Sequence, residues 1–389
     1  MLYINSFWVA LSAILVLFMN FGLSFFYSGL VSGRNAVNTI KMSIVTLGIV
    51  PIIWWVIGYS LSFSGDNQFF GNVNLAFFHG IGLNDVYQGT HVLTISFICF
   101  QAMFASIAPA IISGSGVERL RYRSYLIFFF FLVLLVYCTL AHTVLGNSGG
   151  ANAGAGFSGL ALAVVLKPRK AFREENGKHN LPLMVLGCGM LWFGWFGFNA
   201  GSALELSSLT MLAFANTLFA TSSAMVMWVI CEYITKNPRT ITGLCNALII
   251  GLVAITPSAG YVSIASAVAI GAIVSFLSYF ISIAYNRYKH KVDDSLDVFT
   301  CHGLPGFLGG ILVGVFASSK INAQVPDGLI YGNFNLLGKQ LIVTCLCSAF
   351  SFAATYVILI IMSKTIGIRV DEIHEKHGID AVCGERAYN

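Results

Sequence analysis

The chain has 389 residues, of which 57% are hydrophobic and only 10% are charged. This composition excludes an ordinary soluble globule, because most of the chain could not form a surface in contact with water. The net charge of +5 is explained by a few basic loops, so the sequence does not predict a nucleic-acid-binding protein. We therefore expect an integral membrane protein that contacts membrane lipids.

We predict an all-α protein with about eleven transmembrane helices, because a hydrocarbon core of about 30 Å needs about 20 apolar residues per helix. Charged and Gly/Pro-rich joints divide the chain into spans at Ser6–Val31, Asn38–Ser62, His91–Ser113, Tyr125–Leu145, Gly150–Leu166, Leu181–Ala200, Thr210–Ile234, Ile241–Ile255, Tyr261–Tyr285, Thr300–Ala317 and Leu336–Met362. The fifth span is short and rich in glycine. The first begins almost at Met1 without a basic segment or a cleavage motif, so we interpret it as a retained helix rather than a signal peptide.

The basic residues provide an independent test of this division, because lysine and arginine concentrate in the cytoplasmic loops of membrane proteins. Only Lys320 and Lys339 fall on the side predicted to be outside, and the other loop and tail cations fall on the opposite side. This asymmetry requires an odd number of spans, with the amino terminus outside and the carboxyl terminus inside. We therefore predict a multi-pass protein of the cell membrane, with a membrane domain over residues 1–362 and a cytoplasmic tail over 363–389.

One ionisable ring, His302, lies a few residues into the tenth span. An ionisable group at membrane depth is costly, so we expect it to face a cavity or a pore. The alternative is a structural histidine that is bonded to a carbonyl group. Asp293, Asp294 and Asp297 precede the same span, where negative charge complements the helix dipole, and we interpret them as structural.

Two other spans carry polar and aromatic side chains that a lipid-facing helix would not need. In the third span, Gln101 and Phe104 share a helix face. In the sixth, an aromatic cluster ends in Asn199 and Ser202. The alternatives are an aromatic belt at the membrane interface, rings packed in the core, and a hydroxyl at a helix interface.

Patterns typical of enzymes and metal sites are missing from the sequence. The nine cysteines include no CxxC pair and no Cys/His spacing typical of zinc sites. We also find no nucleophile–base pair and no phosphate-binding loop. Neither an enzymatic activity nor a cofactor is therefore expected.

Several long motifs, in the same order, resemble the ammonium transporter family of Amt and Mep proteins, which are relatives of the Rh proteins. The matching segments are Gly22–Leu30, Phe100–Arg119, Trp195–Ala203, Thr256–Tyr261, Asp293–Gly306 and Gly367–Val370. The resemblance implies a fold of two inverted five-helix halves plus a long last helix. It also implies a homotrimer with one pore in each subunit.

By the family pattern, Ser202 and the ring of Phe104 would form an outer recruitment site for ammonium. The paired rings of Phe104 and Phe198 would block the pore below that site as a gate. Leu145 stands where the family has a tryptophan of the recruitment site, which implies weaker cation–π binding. Supporting positions around this site would be Gln101, Trp195 and Asn199.

The same pattern implies which residues line the pore. His302 matches the second histidine of the pair that lines the conduction path. Phe26 and Tyr27 would line the pore and pack near the gate.

The fifth span departs from the family pattern, which carries an aspartate, a Gly-Gly pair and then the first histidine of the pair. This chain has neither the aspartate nor the histidine. Alignment backward from Lys167–Arg169 places Asn152 at the histidine position, whereas alignment from Gly149-Gly150 places Gly154 there. We prefer Asn152, because its side chain can form hydrogen bonds, although it cannot titrate. The pore would then contain a single imidazole.

The resemblance favours a transporter or channel for ammonium or ammonia. The alternatives are an ammonium-binding sensor with little transport and a transporter of another small solute. Family members use the tail in coupling subunits, and many are blocked by a PII signalling protein. Gly367–Val370 keeps the start of the tail pattern, so a PII protein at the cytoplasmic face is a possible partner.

Overall fold

The computed structural model describes residues 1–144, 150–170, 178–382 and 384–388. Their helices are α1 (Leu2–Leu30), α2 (Gly33–Phe63), α3 (Thr94–Ser113), α4 (Tyr122–Thr143), α5 (Gly150–Leu166), α6 (Leu181–Gly201), α7 (Ser208–Thr235), α8 (Ile241–Ile255), α9 (Ile264–Tyr288), α10 (Phe299–Phe316), α11 (Phe334–Thr365) and the short α12 (Glu372–His377). The fold is all-helical over these ranges, as the sequence predicts.

Nine of the helices in the described ranges are long and apolar enough to cross a membrane. Two shorter apolar helices, α5 and α8, bring the number close to the predicted eleven. The protein is therefore a multi-pass membrane protein. The last span, α11, continues to Thr365, past the predicted end of the membrane domain at residue 362.

Two spans begin later than predicted, because capping and turn contacts occupy the residues before them. The segment before α3 folds back through an antiparallel bridge between Val86 and Leu93, and the helix begins at Thr94. Helix α9 begins at Ile264, where the hydroxyl of Ser263 accepts a hydrogen bond from the first turn.

The helices of the two halves pack in the same pattern. In the first half, α1 contacts α2 and α3, α2 contacts α3 and α4, and α3 contacts α5. In the second half, α6 contacts α7 and α8, α7 contacts α8 and α9, and α8 contacts α10. The halves meet where α1 packs on α6 and where α5 packs on α10, and α11 covers α5 and α10. The recurring pairs are what two related five-helix halves would produce.

Glycines allow the two halves to pack so closely that their helix backbones are in contact. A β-carbon on Gly187 of α6 would lie 2.3 Å from the amide nitrogen of Phe26 on α1. A β-carbon on Gly156 of α5 would lie 2.0 Å from the amide nitrogen of Gly303 on α10. Small residues are the usual means by which membrane helices pack closely, and both crossings depend on them.

Within the described ranges, three helices contain a π-helical turn, in which an extra residue widens the coil. These turns are Trp54–Gly58 in α2, Leu132–Tyr137 in α4 and Phe299–Gly303 at the start of α10. Such turns occur often at functional sites. The third one contains His302, so the ring predicted to face a pore lies in irregular helix.

The carboxyl-terminal tail packs against one end of the bundle, which we call the tail end. Asp380 accepts hydrogen bonds from the amides of Val37 (2.9 Å) and Asn38 (2.8 Å) at the start of α2. Arg369 binds Glu375 within the tail and donates to the carbonyl of Leu166 at the end of α5. The tail therefore joins the ends of helices that are far apart in the sequence.

Candidate functional site

His302 is the ionisable side chain that the sequence singled out. It lies in the π-helical turn at the start of α10 and is 3% exposed. In the part of the chain that the structure describes, its Nδ1 has no hydrogen-bond partner. A buried polar atom is normally bonded to protein or to ordered water. The imidazole therefore presents an unused hydrogen-bonding atom inside the bundle.

The face of α5 that lies against this turn is defined by its glycines. A β-carbon on Gly156 would lie 2.9 Å from the carbonyl carbon of His302. A β-carbon on Gly154 would instead meet Leu140 of α4 and Ser351 of α11, both at 3.0 Å. Gly154 therefore points away from α10, whereas Gly156 points toward it.

This geometry bears on which residue replaces the missing histidine. Position 152 lies one turn before Gly156, so the two share a face of α5. Position 154 lies on the opposite face. The side chain of Asn152 and all of residues 145–149, including Leu145, lie outside what the structure describes.

Two phenylalanine rings predicted as a gate are in contact. The ring centroids of Phe104 on α3 and Phe198 on α6 are 4.2 Å apart, with 32° between the planes. Both side chains are buried. Phe100 packs edge-on against Phe104 at 4.7 Å, and Trp195 lies 5.3 Å from Phe198. The pair is therefore held in place by aromatic neighbours on both helices.

Hydrogen bonds fix the residues around Phe198. Trp195 donates from Nε1 to the hydroxyl of Thr256, the residue that follows α8 (2.9 Å). Asn199 donates from Nδ2 to the hydroxyl of Thr217 on α7 (2.9 Å). Both are therefore positioned by neighbouring helices and support the aromatic cluster.

Ser202 follows directly at the end of α6 and is exposed. Its hydroxyl donates to the carbonyl of Phe198 (2.8 Å), one turn earlier. Since the proton of the hydroxyl is used in this bond, the oxygen remains free to accept from a ligand. Gln101 precedes Phe104 by one turn, and its buried Oε1 has no partner among the described residues.

Phe26 and Tyr27 lie nearer the tail end than the ring pair. The hydroxyl of Tyr27 donates to the carbonyl of Ile111 (3.0 Å), about 10 Å along α3 from Phe104 at 1.5 Å per residue. The backbone of Phe26 contacts Gly187 of α6. The hydroxyl of Tyr27 is therefore held about two turns deeper than the ring pair, and the expectation that Tyr27 packs near the gate stays a prediction.

The sequence-based interpretation treated the aspartates before α10 alike, but their partners differ. Asp293 is fully buried and binds both the Nε (2.7 Å) and the Nη2 (2.9 Å) of Arg169. Arg169 also binds Glu118, and Arg119 lies 3.8 Å from Asp293. Burial opposes ionisation of Asp293, but the charges of Arg119 and Arg169 outweigh it and hold the pKa of that carboxyl below its usual value.

Asp297 and Asp294 complete the group. Asp297 pairs with Lys289 at 2.8 Å. Asp294 is fully buried, and its Oδ2 accepts a hydrogen bond from the amide of Phe299 (2.7 Å), which caps α10. Burial raises the pKa of Asp294, and the charge of Asp297 raises it further. The spacing of the aspartates in the sequence gives no sign of this difference.

Comparison with known proteins covers nearly the whole chain. A profile described as Ammonium Transporter Family matches residues 7–388. An ammonium transporter of Bacillus subtilis (strain 168) is 36% identical over 390 residues, which cover 97% of this chain and 96% of that protein. An ammonium transporter of Aquifex aeolicus (strain VF5) is also 36% identical, over 99% of this chain and 93% of that protein.

Solved structures agree with these relatives in fold. A structure titled Sensor Amt Protein superposes with a TM-score of 0.87 at 27% identity, covering 98% of both chains. The crystal structure of Candida albicans Mep2 superposes with a TM-score of 0.86 at 28% identity, covering 96% of this chain and 87% of that one. The similarity therefore includes the membrane helices and reaches into the tail.

Proposed function

Because the chain belongs to the ammonium transporter family, we propose that it conducts ammonium or ammonia across the cell membrane through a pore with a single imidazole. The observation that carries this proposal is His302, which is buried in a π-helical turn with an unused Nδ1 at the crossing of α5 and α10. Family membership supplies the substrate, and this geometry supplies the place where the substrate would be held.

The recruitment site lies at the end of the bundle opposite the tail. Ser202 offers a free hydroxyl oxygen as an acceptor for an ammonium hydrogen. The face of Phe104 adds a cation–π attraction of about 0.5–2 kcal/mol. A cation is therefore held at the mouth by one hydroxyl and one ring.

The contact between Phe104 and Phe198 controls which species enter the pore from the recruitment site. A centroid distance of 4.2 Å leaves no room for a hydrated cation until the rings rotate apart. Moving an unpaired charge from water into an apolar pore costs many kcal/mol. Ammonium avoids this cost by giving up a proton and crossing as ammonia, which potassium cannot do. Selectivity then follows from acid–base chemistry rather than from size alone.

The lost histidine is replaced by Asn152 in this proposal. Position 152 shares the face of α5 that contacts the His302 turn, whereas Gly154 faces α4 and α11. An asparagine can form hydrogen bonds with ammonia but cannot exchange a proton with it. His302 is then the one titratable side chain of the former pair.

The tail end is the cytoplasmic end in this proposal, with the amino terminus outside. Lysines and arginines of the loops and tail collect there, as the charge rule for membrane proteins requires. The membrane domain would end near residue 362. The homotrimer and the binding of a PII protein at this face rest on the family pattern, and native mass spectrometry with and without a purified PII protein tests both.

A second candidate function is sensing. It is favoured by the similarity to a structure titled Sensor Amt Protein, which covers 98% of both chains. A sensor would bind ammonium at Ser202 and Phe104 without passing much of it across the membrane.

Electrophysiology on reconstituted protein separates the two functions. Pulses of ammonium and methylammonium should evoke a current or flux, and potassium should not. His302→Ala should reduce that response, because it removes the imidazole and leaves a cavity in the path. A flat wild-type response with binding still measurable by calorimetry would favour sensing.

A pair of histidine substitutions tests the assignment of Asn152. Asn152→His should change the size or the pH dependence of the ammonium response, since a second imidazole would face the first. Gly154→His is the matched control, and its side chain would project toward Leu140 and Ser351. A response that changes only in the Gly154 variant would contradict the assignment.

A further inference from the structure

A buried carboxyl group without a counter-ion lies at the tail end of the path that contains His302. Of the three aspartates before α10, Asp293 binds two arginines and Asp297 binds Lys289. Among the described residues, no cation forms an ion pair with Asp294, although it is 0% exposed. The three carboxylates are therefore not equivalent, and pairing with a cation does not account for the burial of Asp294.

One oxygen of this carboxyl is structural, and the other has no well-formed hydrogen bond among the described residues. Oδ2 caps α10 through the amide of Phe299. Oδ1 is buried and receives no hydrogen bond of normal geometry in the described ranges, although the neighbouring hydroxyl of Ser115 lies close enough to act on the carboxyl as a donor. A buried carboxyl oxygen without a well-formed hydrogen bond often contacts an ordered water or exchanges a proton.

Helix α5 connects this carboxyl to His302. A β-carbon on Gly159 would lie 2.6 Å from the hydroxyl of Ser115 and 3.0 Å from Val298 of the segment that leads into α10. Gly156, one turn earlier on the same face, lies against the His302 turn. A glycine-lined face of α5 therefore runs from the backbone of the His302 turn to Ser115, which lies beside Asp294.

The surroundings make ionisation of this carboxyl harder than in water. A buried carboxylate without a cation is costly, so burial raises the pKa of Asp294 and the nearby charge of Asp297 raises it further. Lys289 acts in the opposite direction but is bonded to Asp297. The other titratable or charged groups that interact with Asp294 from neighbouring elements are Tyr27, Arg119, Tyr285 and Cys301. An acid whose pKa is moved toward neutrality is suited to accept and release protons in the cell.

We propose that Asp294 is the proton acceptor at the tail end of the pore, a role that rests on the proposed conduction of ammonium. One N–H bond of ammonium breaks, the proton passes over the His302 ring, and an O–H bond forms on Oδ1 of Asp294. Ammonia leaves the pore without that proton. The neutral acid then releases the proton to water at the tail end, which restores the carboxylate. The chain thus keeps two titratable groups in series although one histidine of the family pair is missing.

The test uses Asp294→Asn in full-length protein reconstituted into liposomes. Asparagine keeps an oxygen that can cap Phe299 but cannot accept a proton. The charge moved per methylammonium taken up should be lost almost completely, because the variant has no group at this position that accepts the proton. Asp294→Glu should restore it with a shifted pH profile. Asp371→Asn, at an exposed ion pair with Arg121, is the matched control and should behave as wild type.

The outcomes are distinct. If Asp294→Asn carries the wild-type charge per substrate at every pH, the proton role is wrong while transport stands. If the wild type itself shows neither uptake nor current, the proposed function fails and the proton role fails with it. If the asparagine variant does not fold, infrared difference spectra of the wild type with isotope-labelled aspartate test whether Asp294 takes up a proton. Ammonium should then evoke the carbonyl band of a protonated aspartic acid, and its absence would overturn the proposal.

Discussion

Replacing Arg169 by glutamine should destabilise the protein more than the same change at the next residue, Lys170. The guanidinium of Arg169 is 12% exposed and joins two carboxylates, Glu118 and the fully buried Asp293. Removing one partner of a buried ion pair leaves an uncompensated charge and costs about 3–5 kcal/mol. Lys170 pairs with Glu372, and both side chains are 53% exposed, so its loss should cost only about 0–1 kcal/mol.

Thermal unfolding in detergent, followed by far-ultraviolet circular dichroism, measures both variants at pH 7. The Arg169→Gln protein should unfold at a clearly lower temperature, and Lys170→Gln should stay close to wild type. Equal shifts would refute the reasoning, because they would mean that burial of the pair does not determine its contribution.

The same ion pair predicts a dependence on pH. The pKa of Asp293 is lower in the folded protein than in the unfolded chain, so its contribution to stability is present above the unfolded pKa of about 3.9. That contribution is lost as the pH falls through the lowered folded value. The gap in stability between wild type and Arg169→Gln should therefore narrow in acid, and a gap that does not change with pH would contradict the assigned pKa shift.

Three further predictions concern the pore helices. Gly156→Ala should prevent assembly of the α5–α10 crossing, since its methyl group would lie 2.0 Å from the backbone of α10. In Gly189→Ala, the control, the methyl group has nothing within 4 Å, so that variant should fold normally. The yield of monodisperse protein measures both variants, and similar yields would contradict the close crossing. Phe198→Ala should weaken the discrimination of ammonium against potassium in the current assay, because half of the ring pair is deleted; unchanged selectivity would rule out the gate. Thr256→Val should cost about 1–3 kcal/mol by leaving the buried Nε1 of Trp195 without its partner, and an unchanged melting temperature would show that the bond is dispensable.

Local features of the chain predicted much of the architecture. The length of the apolar segments predicts the spans, and an ionisable ring in one such segment identifies His302 from the sequence. The starts of α3 and α9 were misplaced, because a bridge between Val86 and Leu93 and a cap at Ser263 depend on where backbone groups find partners. Hydropathy does not contain that information.

Long-range contacts account for what the sequence did not predict at the site. Asp294 and its two neighbouring aspartates look alike in the chain, and the placement of their cationic partners distinguishes them; one of these, Arg169, lies 124 positions away from Asp293. The depth of Tyr27 depends on its bond to Ile111, 84 positions away. The contacts of Gly154 and Gly156 likewise require knowledge of which helices surround α5.

The bond between the tail and α2 imposes an order on how this protein is made. The first amides of a helix need an acceptor, and those of Val37 and Asn38 find it in Asp380, which lies 343 positions beyond Val37 in the chain. A ribosome therefore completes every membrane helix before the beginning of the second one is capped. Until then the amides at that end of the helix can donate hydrogen bonds only to water or to another protein. A chain that ends before Asp380 therefore leaves the amides of Val37 and Asn38 without this acceptor.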